Sequence, residues 1–228
     1  MAMAIEYLLF NLIVIIGPIL RSFEPRLHFF RLWPQALLSA AIVGLPFLVW
    51  DSLVSGRHWW FNSEYTLPLR IAGLPPGEIL FFFTVPFAII FTHEVIRLFV
   101  AERNFRLPAF FIYTLAVILL SGSVAAFYHG LEYTGLAQSA LLLALLLDHF
   151  SGQRIIGSGW RFLLFVAIVL LSTLIFNYYL TARPLVLYDP AFQLDFRIIT
   201  IPIEDFIYGL ALLWLNVRVY EWLKERHG

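Results

Sequence analysis

The sequence predicts an all-α integral membrane protein, a seven-transmembrane-helix bundle with a parallel internal repeat. Three observations carry that prediction. The 228 residues are 61% hydrophobic and only 13% charged, a composition typical of membrane proteins and outside the range of water-soluble domains. Apolar blocks recur at about 20 residues each, the length a helix needs to cross a bilayer core. A constant spacing of 126 residues relates polar positions early in the chain to polar positions late in it, the mark of an internal repeat.

The blocks run near 4–20, 34–54, 76–100, 107–127, 131–148, 160–180 and 202–223. Only helices and closed barrels cross lipid without stranding backbone polar groups, and these blocks are too long and continuous for barrel strands. The opening "MAMAIEYLLFNLIVIIGPIL" lacks a basic leader and a small-residue cleavage site, so it reads as the first span and not as a removable signal. Pro46 and Pro86 fall inside spans and are expected to kink them. Tyr7, Trp33, Trp59, Trp60, Trp160, Tyr188 and Trp222 sit near helix ends and read as an interfacial belt. With the N-terminus outside, the cytoplasmic segments hold eleven cations (Arg21, Arg26, Arg31, Arg97, Arg103, Arg106, Arg154, Arg161, Arg218, Lys224 and Arg226) against four opposite (Arg57, Arg70, Arg183 and Arg197). That bias predicts N-terminus out and C-terminus in. Residues 1–228 read as a single membrane domain, placed in the cell (cytoplasmic) membrane.

Several function classes are excluded by what the chain lacks. Lys plus Arg and Asp plus Glu each number 15, so no polycationic surface exists for nucleic acid, and none is expected as a partner. With no cysteine, thiolate metal sites and thiol nucleophiles are ruled out. Six histidines show no i,i+3 or i,i+4 pair, so the clustered-histidine pattern of membrane di-iron hydroxylases is missing. His93 and Glu94, deep in the third span, read as helix-to-helix hydrogen bonding. No Gly-rich phosphate loop or Asp-rich diphosphate motif occurs. Neither a metal nor a cofactor is expected.

The repeat is read by laying "VWDSLVSGRHWWFN…LPPGEILFFF" over "IFNYYLTARPLVLY…TIPIEDFIYG". Asp51 then meets Asn177, Arg57 meets Arg183, Pro76 meets Pro202 and Glu78 meets Glu204, each pair 126 apart. Half A covers about 1–106 and half B about 128–228, so spans one to three correspond to spans five to seven. An even number of spans separates the copies, so both point the same way. The outer ends of these helices are expected to gather Asp51, Asn177, Glu78, Glu204 and Asp205, with Tyr128, His129 and Glu132 in the turn between spans four and five. Ionisable groups near or within a membrane are costly and mark function by default. A proline followed two residues later by an acid is also an ordinary helix start, since proline has no donor to orphan and the carboxylate suits the dipole. Recurrence in register keeps the functional reading level with that plain one.

Residues 177–223, with "NYYLT", "YDP" and "TIPIEDFIY", resemble the second half of the small integral-membrane lycopene cyclases of archaea, fungi and heterodimeric bacterial systems. Residues 50–83, with "WD…WWFN" and "LPPGEILFFF", are similar to the first half, here fused into one chain. The family's Pro-x-Glu-Glu/Asp signature is whole at Glu204–Asp205. In the first copy Ile79 replaces the second acid and Gly77 stands where an aliphatic is usual, so only Glu78 carries over. The resemblance implies a carotenoid cyclase acting on a linear, lycopene-like carotenoid drawn from the bilayer lipid, without cofactor, with other carotenoid-pathway enzymes as further partners.

Cyclisation of a linear carotene end is an isomerisation. A proton adds to the terminal double bond, the cation is attacked by the next double bond, and loss of a proton leaves a ring. The chemistry needs a neutral acid, a base, and walls that tolerate a cation while excluding water. A carboxyl in an apolar bundle is kept protonated by desolvation. Glu78, Glu204 and Asp205 are the candidate catalytic residues. On a helix Glu204 shares a face with Tyr208 while Asp205 points about 100° round, so Asp205 is expected to orient Glu204 or complete a relay. Asp51 and Asn177 are candidate hydrogen-bond partners of the acids. Phe81, Phe82, Phe206 and Tyr208 are candidate lining residues, whose ring faces can stabilise a cation. A non-enzymatic carotenoid- or retinoid-binding protein is the rival reading. An opsin-like version of it is disfavoured because the only lysine, Lys224, lies beyond the membrane end of the seventh span, where no Schiff base can form.

Overall fold

A computed structural model describes residues 3–101, 108–151 and 159–227. Arg103, Arg106 and Arg154, three of the cations expected on the cytoplasmic side, lie outside the described residues. Seven α-helices are described: α1 (Glu6–Arg21), α2 (Trp33–Val54), α3 (Pro76–Phe99), α4 (Ala109–Tyr128), α5 (Glu132–Phe150), α6 (Trp160–Ala182) and α7 (Ile203–His227). Their starts follow local chemistry. Glu6 and Glu132 open α1 and α5 with a negative charge at the positive end of the dipole. Proline occupies the first turn of α2 and the first position of α3, where its missing N–H orphans nothing. Pro18, Pro46 and Pro86 lie inside α1, α2 and α3.

Four helical segments are long and apolar enough to cross a bilayer: Phe29–Val54, Pro76–Phe99, Ala109–Tyr128 and Trp160–Ala182. The sequence reading expected seven. The other three helices fall short for physical reasons. At 16 residues α1 extends only about 24 Å, less than a hydrocarbon core of about 30 Å. Acids and bases dilute the other two: Glu132, Asp148 and His149 in α5, and Glu204, Asp205, Arg218, Glu221 and Lys224 in α7.

Four short strands join the helices. β1 (Trp59–Phe61) pairs antiparallel with β2 (Val186–Tyr188), setting Trp59 opposite Tyr188 and Phe61 opposite Val186. β3 (Arg197–Ile198) pairs with β4 (Ile201–Pro202) through a two-residue turn in which Ile199 adopts φ 62°, a conformation that strains a β-branched residue.

The chain divides into two compact units, one of Met1–Phe99, Arg183–Tyr188 and Leu215–Gly228, the other of Val100–Ala182 and Asp189–Trp214. In the first unit α3 packs against both α1 and α2. Gly44 of α2 faces Phe82 of α3, where a Cβ would stand 3.4 Å from the Phe82 carbonyl, at van der Waals contact. The β1–β2 ribbon belongs to this unit, and Arg183 pairs with Glu6 at 2.9 Å. The last turns of α7 also belong to it. There Ser39 donates to the Asn216 carbonyl at 2.7 Å, and His93 meets Glu221 at 2.8 Å. In the second unit α4 and α5 form a hairpin turning at His129 and Gly130, with Gly130 at φ 78°. Ser123 of α4 donates to the Gly135 carbonyl of α5 at 3.0 Å. The start of α7 lies close on α6, where a Cβ at Gly209 would stand 3.1 Å from the Thr173 hydroxyl. Both units leave large apolar side chains exposed, such as Ile13 and Leu53 in one and Phe110 and Val117 in the other, as expected where lipid and not water is the solvent.

Candidate functional site: two half-sites built on buried acids

The first half-site is assembled by α1, α2, α3 and the start of β1. Glu78 lies in the first turn of α3 and is 8% exposed; Asp51, in the last turn of α2, is 3% exposed. The sequence offers Asp51 as a candidate hydrogen-bond partner of the acids. The Trp59 indole donates to Asp51 Oδ1 at 2.7 Å; Asp51 lies close enough to Glu78 for the two carboxyls to interact, and its Oδ2 has no hydrogen-bond partner among the described residues. From α1 the buried Tyr7 hydroxyl donates to Glu78 Oε2. Tyr7 and Trp59 therefore leave the interfacial belt to which the sequence reading assigned them. Their polar ends have acids to satisfy, and burial without such partners would cost free energy.

Gly77 explains itself here. A Cβ at this position would fall 2.6 Å from Cγ of Tyr7, so the tyrosine ring lies against the start of α3 only because residue 77 has no side chain. Asn11, one turn further along α1, fastens the same contact by donating to the carbonyls of Tyr7 at 2.8 Å and Gly77 at 2.9 Å. Thr84 in turn donates to Asn11 Oδ1 at 2.5 Å. Phe82 is fully buried, with Phe81 edge-on at 5.7 Å.

The second half-site is assembled by α5, α6, the loop before β3 and the start of α7. Glu204 is 0% exposed. Its Oε1 accepts from the Thr134 hydroxyl at 2.6 Å and from the Leu194 amide at 2.8 Å, while its Oε2 has no hydrogen-bond partner among the described residues. Asp205, 2% exposed, takes different partners: the Tyr133 hydroxyl at 2.6 Å and Asn177 Nδ2 at 3.1 Å. The 100° separation along the helix is thus expressed as two separate sets of donors. Phe206 is buried, and the Tyr208 ring stands edge-on to Tyr133 at 6.4 Å.

Within each unit, then, the structure joins Asp51 to Glu78 and Asn177 to Asp205. It does not bring Tyr128 or His129 in. Tyr128 is 85% exposed and His129 is exposed at the end of α4. The hydroxyls that serve the acids come from Tyr133, to Asp205, and Thr134, to Glu204. The sequence reading missed Tyr7, Tyr133, Thr134 and Asn11. One signal was available: Glu6–Tyr7 and Glu132–Tyr133 obey the same spacing of 126 as the motif glutamates.

A third polar cluster lies at the other end of α3, in the first unit. Glu94 accepts from Lys224 at 2.6 Å and Tyr220 at 2.9 Å, and Glu221 accepts from Arg97 at 2.9 Å and meets His93. Ligand atoms of His93, Glu94 and Glu221 lie within 4.8 Å of one another. Both carboxylates already face a cationic side chain, so the group is an α3–α7 ion-pair lock.

Comparison with known proteins adds the family. Residues 5–96 and 132–223 match the family model described as Lycopene cyclase. No curated protein and no solved structure matches the chain. The two matched segments open at the tyrosine-bearing starts of α1 and α5 and carry the Glu78 and Glu204 half-sites, and together they span most of the sequence. With helices able to cross a bilayer, they mark a membrane protein of carotenoid cyclisation: the chain belongs to the lycopene cyclase family.

Proposed function

We propose that this chain is a lycopene β-cyclase-like isomerase that closes rings on the ends of a linear carotenoid by acid–base chemistry through a carbocation, using Glu204, Glu78 and Asp205. The observation that carries the reading is Glu204: a carboxyl with no exposure, fixed through one oxygen and, among the described residues, unpartnered at the other, in the family's signature. A buried acid of this kind can hand a proton to an alkene and take one back. Asp205, held by Tyr133 and Asn177, orients Glu204, and Glu78 with Asp51 is the equivalent acid of the first repeat. Phe81, Phe82, Phe206 and Tyr208 supply ring faces, each able to stabilise a desolvated cation by about 2 kcal/mol. The reaction moves no electrons in net terms, so an intramolecular lyase or isomerase class follows.

The same proposal takes α1 to α7 as seven spans in the cell membrane, N-terminus out and C-terminus in, with repeat halves near 1–106 and 128–228. Substrate enters from the bilayer, where other enzymes of the carotenoid pathway also work. Expression in lycopene-making cells, followed by chromatography of the pigments, tests the activity. The wild-type chain should yield ringed product. Glu204→Gln should lower the rate by about 10²–10⁴-fold, the usual worth of a general acid, and Glu78→Gln should reduce it, both variants remaining in the membrane. Full activity in both variants contradicts the acid assignment. Unchanged lycopene that co-purifies with the protein would instead identify a carrier.

A further inference from the structure

The spacing that relates the motif glutamates also relates Tyr7 to Tyr133, yet the two hydroxyls choose different acids. Tyr7 donates to Glu78, the motif glutamate itself, whereas Tyr133 donates to Asp205, the residue after it. Two sequence differences between the copies account for this. Where the second copy has Asp205 the first has Ile79, which accepts nothing, so Tyr7 turns to Glu78. Where the second copy has Thr134 the first has Leu8, which donates nothing. In the second copy the threonine hydroxyl and the Leu194 amide hold Glu204 by Oε1, while Tyr133 and Asn177 are taken up by Asp205. Glu204 Oε2 is left without a partner among the described residues, in a fully buried side chain, whereas in the first half-site the carboxylate oxygen so left is Asp51 Oδ2 and not an oxygen of Glu78, the motif glutamate that Tyr7 holds. Buried polar atoms are nearly always satisfied, and an exception needs an explanation.

We propose, on the cyclase reading, that Tyr133 and Tyr7 are positioning residues that give the two motif glutamates unequal roles. By engaging Asp205, Tyr133 keeps Glu204 Oε2 open as the atom that exchanges a proton with the carotenoid. By engaging Glu78 directly, Tyr7 withdraws that acid into a supporting part. The O–H bond at Glu204 Oε2 breaks as a C–H bond forms on the terminal alkene. The cation closes on the neighbouring double bond, a ring C–H breaks, and its proton returns to the carboxylate. Atoms balance as an isomerisation and no electron is gained or lost.

Converting the second copy to the pattern of the first tests this. Asp205→Ile frees the Tyr133 hydroxyl to turn to Glu204, as Tyr7 does to Glu78, and should lower kcat by about 10²-fold. Adding Tyr133→Phe removes that hydroxyl and reopens Oε2, so the double variant Asp205→Ile with Tyr133→Phe should recover at least tenfold over Asp205→Ile alone. Tyrosine in a merely structural role predicts the opposite, a double variant worse than either single one, and that result overturns the proposal. Should Asp205→Ile not accumulate in the membrane, the glutamates decide: Glu78→Gln, whose amide oxygen can still accept from Tyr7, must keep at least tenfold more activity than Glu204→Gln. The reverse order overturns the proposal while leaving the cyclase reading intact. A wild-type chain that forms no ring defeats the cyclase reading itself, and this proposal with it.

Discussion

Each acid in the two half-sites is held by a small number of named donors, so the strongest expectations concern single side chains. Trp59→Phe removes the indole that donates to Asp51 Oδ1 at 2.7 Å. A buried carboxylate oxygen that loses its donor costs about 1–3 kcal/mol, so the variant should melt at lower temperature in detergent than the wild type. An unchanged melting curve would mean that the bond contributes nothing. Gly77→Ala is a sharper probe, because the new methyl would stand 2.6 Å from the Tyr7 ring. It should push the tyrosine off Glu78 and so change activity as Tyr7→Phe does, the expected outcome of both being a loss, with no further loss when the two are combined. Independent, additive losses would show that Gly77 serves some other contact. Glu204 and Asp205 stood out in the sequence because two adjacent acids after a proline are rare in so apolar a chain, and Glu78 because it lies 126 residues before Glu204 behind a proline of its own. Tyr7 and Trp59 were not, because 40 Phe, Tyr and Trp residues give any one aromatic an easy explanation as packing or belt. Only the chain that folds beside them separates a hydroxyl on a carboxylate from a ring at an interface.

At the scale of elements, the helices follow their hydrophobic blocks closely: α3 at Pro76–Phe99 lies within the block expected near 76–100, and α6 at Trp160–Ala182 matches the one near 160–180. The β1–β2 and β3–β4 ribbons were not legible, since strands of two or three residues carry no periodicity to read. They matter to the site, because the loop leading into β3 delivers the Leu194 amide to Glu204. The pairing of α3 with the last turns of α7 rests on the ion-pair lock. Glu94→Leu removes the carboxylate to which Lys224 and the Tyr220 hydroxyl donate at 2.6 and 2.9 Å. With Lys224 partly exposed, screening limits the loss, and about 1–2 kcal/mol of stability is expected. Thermal unfolding in detergent checks it. A fall in activity without a fall in stability would move this cluster from structure to function.

For the whole molecule, the repeat was the most legible feature, because a spacing of 126 survives wherever a helix start must be kept in register. What the spacing alone hid is that the copies have diverged in chemistry: Ile79 against Asp205 and Leu8 against Thr134 turn one inherited tyrosine toward the motif glutamate and the other away from it. The proposed seven-span topology predicts that a reporter fused after residue 228 is active only in the cytoplasm; an extracytoplasmic signal would reverse the assignment. Catalysis by carboxyl proton exchange is tested most directly with the purified protein in liposomes loaded with lycopene, the products being separated and weighed by mass spectrometry. The account predicts a ringed product of the same molecular mass as lycopene, formed by the wild type and not by Glu204→Gln. A product lighter by hydrogen, or heavier by water, or ring formation undiminished in Glu204→Gln, would contradict it.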